Sequence, residues 1–351
     1  MKKLKEIIVM PLMVVVAFFV AVFQLLSSFK PREKENLNYT LRSGRRVKPG
    51  DELKIITWNL GYSGLGKECT FIYNGKGRGM IRPPSVEIVR KNLDGAKRFL
   101  SGSGADVILL QEVTSRSFMN YSVPMYDELN QALSGYNSAY SESIRITFPV
   151  SLIHGNALFT KYQPASIVRH ALPLEKKGLT GLLSQKFNFV VARLDIAGSP
   201  YQWVIIDMHF AAFDEKGETR DRQLQHILQF VFDEYEKGNY VVVGGDWNLA
   251  LVDTRFPYDT KEEYLFWKQD FPKQAKKHLE ERGWKIAADS STPSVRSLEK
   301  PYDGYNYTTI IDGYLCSPNV EIVEIKGINL GFEYSDHNPV LLRVRAPGNT
   351  Q

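Results

Sequence analysis

The stretch Tyr240-Val-Val-Val-Gly-Gly-Asp-Trp-Asn248 decides how this chain is read. A short β-branched run reads as a buried strand. It ends in a carboxylate and, two residues on, a carboxamide that an extended chain turns to the same side. Four further segments share this design, an apolar run closed by a polar residue able to hold a metal or a phosphate. They are Ile55-Ile-Thr-Trp-Asn59, Val107-Ile-Leu-Leu-Gln-Glu112, Val204-Ile-Ile-Asp-Met-His209 and Ser335-Asp-His-Asn-Pro339, the last just before a closing strand. A residue at the end of a buried strand is held rigidly and yet emerges at the sheet rim, where a preorganised site needs its groups. Burying Glu112, Asp246 or Asp336 without a cation or donors would be costly. Singly, each segment also reads as a turn, a loop cap or a surface carboxylate. Together, their strand contexts agree.

Outward from these segments, strands are expected at Leu53–Asn59, Asp106–Val113, Asn156–Thr160, Phe187–Ile196, Gln202–His209, Tyr240–Asp246, Ile310–Cys316, Val320–Ile325 and Pro339–Val344. Helices are expected near 85–101, 219–237 and 261–282. In the second, Leu224, Ile227, Leu228, Val231, Phe232 and Tyr235 recur at helical spacing before Gly238. Many strands and few helices predict an α/β domain of two packed sheets flanked by helices, spanning 53–346 with a short tail at 347–351. The chain's 351 residues, 43% hydrophobic and 24% charged, suffice for such a core.

The net charge of +5 is unevenly placed. Ten of the 44 basic and three of the 39 acidic residues lie in the first fifty, so 34 basic and 36 acidic residues remain and the body carries −2. A nonspecific nucleic-acid binder shows a basic excess, so a nuclease is mildly disfavoured. The two cysteines, Cys69 and Cys316, have no metal or redox spacing, and Cys316 in its apolar run reads as a buried thiol.

Ile7 to Leu26 are twenty residues without a charge, preceded by Lys2, Lys3 and Lys5. At about 1.5 Å per residue they span a hydrocarbon core. No small-residue cleavage pattern follows, so an N-terminal transmembrane helix, an uncleaved signal anchor over 1–29, is expected rather than a cleaved leader. A count of nearby basic residues would keep the body in the cytoplasm, but long domains cross largely regardless of charge; an extracytoplasmic body is expected. Residues 30–52 are polar and basic and read as a linker, either solvated or in contact with anionic headgroups.

In these segments the chain resembles the endonuclease/exonuclease/phosphatase superfamily, of deoxyribonuclease I-like fold. The most specific pieces are Gly245-Asp-Trp-Asn248 and Ser335-Asp-His337. Gly155-Asn-Ala-Leu-Phe-Thr-Lys161 resembles an inner strand that in the family usually ends in Ser-Arg, where Thr160-Lys161 stands here. His209 followed by Arg222-Gln-Leu resembles the family's next helix, and Ile311-Asp-Gly-Tyr314 its late strand. The resemblance implies mainly antiparallel sheets stacked face to face in a four-layer sandwich, with a site at the rim where both meet.

What it implies for roles joins what the chemistry allows. Glu112, Asn59 and Asp336 form a metal shell. Oxygen ligands without cysteine select a hard ion, Mg²⁺ first and Mn²⁺ second. Asp246 is the base that activates water, with Asn248 orienting it. His337 donates to the phosphate, with Asp312 on its other nitrogen. His209 is a second donor or a leaving-group acid, and Asn156 and Arg222 contact substrate. His154, His170, His226 and His278 have no comparable context. The spaced glycines of Asn74-Gly-Lys-Gly-Arg-Gly79 are a surface loop or a lid, not a nucleotide fingerprint. Phe266, Trp267 and Phe271 read as helix core.

The expected activity is hydrolysis of a phosphate ester, monoester or diester, by a membrane-tethered monomer. The alternatives are a nuclease acting on DNA or RNA, a lipid phosphodiesterase held near headgroups, and a silent binding module that keeps the fold. Lipid, nucleotide and nucleic-acid substrates are all compatible with these residues.

Overall fold

The computed structural model describes residues 29–347 apart from 71–82, 84, 149, 175–184, 215, 255, 259, 261–264 and 266. The apolar segment 7–26 and the glycine-spaced run 74–79 lie outside the described residues. Among the described residues, no helix is long and apolar enough to cross a membrane.

Two seven-stranded sheets carry the fold. One runs, edge to edge, β1 (Lys34–Asn36), β7 (Ser166–Ala171), β8 (Asn188–Asp195), β9 (Gln202–His209), β10 (Tyr240–Asp246), β16 (Asp312–Cys316) and β13 (Lys285–Ala287). The other runs β17 (Glu321–Gly327), β18 (Val340–Arg345), β3 (Glu52–Asn59), β4 (Val107–Ser117), β6 (Leu152–Thr160), β5 (Asn137–Ile146) and β2 (Tyr39–Thr40). Within these sheets β3 with β4 and β9 with β10 are parallel and the remaining pairs antiparallel. Two-stranded ribbons join β11 (Leu249–Ala250) to β12 (Gln269–Asp270) and β14 (Val295–Arg296) to β15 (Thr308–Thr309).

The central strands are apolar on both faces because both are covered. Ile55, Val107, Leu109, Ile205 and Val242 meet between the sheets. Their neighbours Ile56, Trp58, Ile108 and Leu110 face outward against α1 (Val86–Gly102) and α2 (Met125–Ala132). Val204, Ile206, Val241 and Val243 face α3 (Glu218–Glu236), whose Leu224, Ile227, Leu228 and Val231 form the stripe that the spacing predicts. The Ser85 side chain caps α1 by accepting from the Ile88 amide. The result is two mixed sheets between helices, as the segment pattern implies.

Three expectations change. The basic stretch 30–52 is not a free linker. β1 and β2 extend the edges of opposite sheets, Arg45 and Val47 bridge to Tyr162 and Ile196, and Val47 is buried between the sheets. Strand pairing uses backbone, so the charged side chains of β1 stay exposed while its amides pair. The third helix begins at Lys273 rather than 261, as α4 (Lys273–Glu281). Pro272 disfavours helix at the preceding residue, so Phe271 packs instead on Trp247, with ring centroids 6.3 Å apart. β5, β7 and α2 were not expected, since β5 alternates serine, asparagine and glutamate with its apolar residues.

Candidate active site

Strand alternation delivers the site. Asn59 continues the inner face of Leu53 and Ile55, His209 that of Trp203 and Ile205, and Asp246 that of Val242, while Asp312 starts the inner face of Tyr314 and Cys316. The four therefore reach the gap between the sheets at one rim. Glu112 breaks this parity, because Gln111 already occupies the inner face and donates to Asp207 across the gap at 2.6 Å. A bulge in β4 between Leu110 and Val113, with Glu112 at φ +54°, turns the Glu112 carboxylate to the rim as well. Asn248 is likewise left-handed, at φ +48°. At Gly245 an added Cβ would lie 1.9 Å from the Met208 carbonyl, so only glycine lets β10 close on β9 and set Asp246 opposite His209.

Asp246 is the hub. Its Oδ2 accepts from Asn59 Nδ2 at 2.9 Å and stands 3.6 Å from His209 Nε2 and 3.8 Å from His337 Nε2. Its Oδ1 accepts from the Asn248 amide at 2.9 Å. Asn59 Nδ2 also reaches Glu112 Oε1 at 3.3 Å, and Glu112 lies 4.0 Å from His209. On the far side, His337 Nδ1 meets Asp312 Oδ2 at 2.8 Å, and that oxygen also accepts from Ser294 at 2.7 Å. Ser335 donates to the Asn59 carbonyl and Trp58 Nε1 to the His337 carbonyl, each at 2.8 Å, locking the 335–337 turn onto β3.

A model of the endonuclease/exonuclease/phosphatase family matches residues 56–312. The chain belongs to that family. Members are hydrolases acting on phosphate esters. Solved structures with the same fold include a family protein from Beutenbergia cavernae DSM 12333, 16% identical, covering 84% of this chain and 72% of that one, TM-score 0.58. One from Bacteroides vulgatus is 16% identical over 84% of this chain and 99% of that one, TM-score 0.53. The human Nocturnin catalytic domain, solved with a bound sulfate anion, is 16% identical over 88% of this chain and 97% of that one, TM-score 0.52. At these identities the likeness shows the fold. No curated protein sequence matches this chain.

The electrostatics of the family site are those of buried carboxylates short of a countercharge. Burial, then Asp336, pushes the Glu112 carboxyl up to about 7. Burial, then Asp312, pushes Asp246 up to about 7, and burial raises Asp336. Burial opposes a charge on His337, but Asp312, Asp336 and Asp246 outweigh it and hold the ring well above the usual histidine range. His209 is pushed down to about 3 by burial, then by His154 and His337, and stays neutral. The region is thus a possible acidic metal site, and its donors fit a hard divalent cation. Asp246, Asp312 and His337 also bring one ligand atom each within 4.8 Å of one another. In that trio His337 Nδ1 and Asp312 Oδ2 are spent on each other, so it reads as a relay, and Glu112 and Asp336 remain the open carboxylates.

Most of the expected residues converge, with corrections in detail. Asn59 gives its amide nitrogen to two carboxylates, and its oxygen accepts from the Gly61 amide at 2.9 Å, leaving one lone pair for an ion. Asn248 lines the cleft but donates to the Phe210 carbonyl. Asn156 is buried on the inner face of β6 and its Nδ2 has no hydrogen-bond partner. Arg222 does not reach the site. It bonds the carbonyls of Glu218 and Leu174 and the Thr219 hydroxyl, while Arg220, two residues earlier, is buried and donates to the Asn248 carbonyl at 3.0 Å. His154 was missed and lines the cleft beside His209. Its signal was parity with Asn156, visible only once β6 is known to start at Leu152. Trp267, expected in a helix core, also lines the cleft.

Proposed function

We propose that this chain hydrolyses a phosphate ester, diester or monoester, by in-line attack of a water activated by Asp246, with Mg²⁺, or second Mn²⁺, held by Glu112, Asp336 and Asn59. The observation that carries the reading is the buried Asp246 with Asn59, His209 and His337 all within 4 Å of one oxygen. A carboxyl near 7 is matched to taking a proton at neutral pH. The Asn248 amide holds Oδ1 and the Asn59 amide takes one lone pair of Oδ2, whose other lone pair is left to face the water. His337, kept protonated by its aspartates, donates to a nonbridging phosphate oxygen as charge builds there. His209, kept neutral, serves as a hydrogen-bond donor rather than a leaving-group acid. The cation, when bound, neutralises charge on the phosphate and the departing oxygen.

The test is turnover of 4-nitrophenyl phosphate and bis(4-nitrophenyl) phosphate with Mg²⁺, with and without chelator. The reading expects chelator-sensitive release and a loss of about 10²–10⁴-fold in Asp246→Asn. Equal turnover by the variant would remove Asp246 as the base.

The proposal includes a tether. Residues 7–26 hold the monomeric domain to a membrane with its catalytic part outside the cytoplasm, which protease protection in sealed vesicles checks. Protection of the domain in right-side-out vesicles would place it inside.

A further inference from the structure

Around the polar cluster the cleft is lined with carbon. Its volume is about 280 Å³, at the small end for ligand sites. Leu65, Met119, Ile144, Leu152, Phe187 and Trp267 form much of its lining and are all half-buried. They come from the loop after β3, the turn after β4, the facing ends of β5 and β6, and the segments before β8 and β12. Apolar surface held open to water beside a reactive centre marks the contact for an apolar part of a ligand.

Charge gives the complementary evidence. Among the described residues lining the cleft there is no lysine and one arginine, Arg296. That side chain is buried, and its terminal nitrogens donate to the carbonyls of Leu65, Gly66, Cys69, Ser297 and Lys300. It acts as a brace for the loop and has no free fork for an anion. A nucleic acid or polyphosphate brings further phosphates, each normally met by a cation or a row of donors. The described lining offers one such place, at His337 and the carboxylate cluster.

Resting on the phosphohydrolase reading above, we propose that the substrate carries a single phosphate esterified to a hydrocarbon chain, with the chain lying against Met119, Ile144, Leu152, Phe187 and Trp267. The chain can belong to a bilayer lipid or to a free ester, since both present the same chemistry to the cleft.

The experiment uses the full chain, transferred from detergent into an amphipathic polymer so that no surfactant competes. Inorganic phosphate and n-alkyl phosphates from ethyl to octyl are titrated by calorimetry with Mg²⁺ present and as competitors of nitrophenyl ester turnover. The expected result is affinity that rises roughly two- to fourfold per added methylene, and a smaller rise in Phe187→Ala and Met119→Ala proteins of native circular dichroism. A further gain on phosphatidate vesicles over monomeric octyl phosphate assigns the lipid source, and its absence assigns the free ester. Affinity independent of chain length, or tighter binding of a short oligothymidylate than of octyl phosphate, would overturn the hydrocarbon assignment while leaving the phosphohydrolase reading intact. Failure to bind inorganic phosphate or any alkyl phosphate would instead count against that reading.

Discussion

His337 Nδ1 lies 2.8 Å from Asp312 Oδ2, and Asp312 is fully buried. The aspartate is the nearest of three carboxylates that keep the ring protonated against its own burial. In Asp312→Asn the shape stays and the charge goes, so the His337 pKa falls. The alkaline limb of the rate profile is then expected to move to lower pH, with activity at its optimum down about 10²-fold. An unchanged limb would show that the ring titrates independently of Asp312.

The metal-free protein has a pH signature with a definite sign. Glu112 and Asp246, at about 7, and Asp336 are all raised above their unfolded values. The contribution of all three to stability is present at acid pH and is lost as pH rises, for Glu112 and Asp246 through about 7, where the native site must hold several charges. His337, also raised, loses its contribution in the same direction at higher pH. A bound divalent cation favours the charged carboxylates and reverses their loss. Chelated protein should therefore melt at progressively lower temperature from pH 5 to 8, and Mg²⁺ should raise the melting temperature more at pH 8 than at pH 5.5. Equal shifts at both would mean the ion does not sit among these groups.

Much of this site was legible because strand parity links sequence to geometry. Asn59, His209 and Asp246 end strands whose odd or even positions already face the core, so a period of two carries them to the rim without further information. Glu112 is expected at the site from its strand end, although parity alone would send it outward. Its placement depends on a bulge and a left-handed residue, which depend in turn on what β6 does across the sheet. His154 and the hydrocarbon lining were illegible for a related reason. They sit on β5, β6 and loop ends whose bounds are set by pairing partners far along the chain, not by local pattern. The stretch 30–52 misled because edge pairing is made by backbone and leaves no mark in side-chain composition.

Gly245 tests how closely the two strands must meet. With any side chain there, a Cβ falls 1.9 Å from a backbone carbonyl that cannot rotate away. Gly245→Ala should cost several kcal/mol by denaturant unfolding, as changes that force strain into a packed core do. In whatever folded fraction remains, Asp246 and His209 part and activity falls. Gly50→Ala, at a position with open space around it and φ +80°, is the comparison. It bears only the left-handed backbone penalty, about 1 kcal/mol.

Arg220 and Arg222 differ by two positions and should differ sharply in effect. Arg220 is inaccessible and bridges the Asp214 and Asn248 carbonyls, and its own amide donates to the Asp214 carboxylate at 2.7 Å. Truncating it removes one of the donors that each buried carbonyl shares with Gln269 and leaves the Asp214 carboxylate without the guanidinium 3.9 Å away, so Arg220→Ala should lose about 3–5 kcal/mol. Losing one of the two donors to the Asn248 carbonyl also loosens the amide that orients Asp246, so turnover falls even below the melting transition. Arg222 donates to the Glu218 and Leu174 carbonyls and the Thr219 hydroxyl, and Arg222→Ala should change stability by no more than about 0.5 kcal/mol and leave turnover within about twofold, an allowance of the same size at 1.4 kcal/mol per tenfold. Paired melting curves and rates on the two variants decide it. A large loss of turnover in Arg222→Ala at unchanged stability would restore Arg222 to the site.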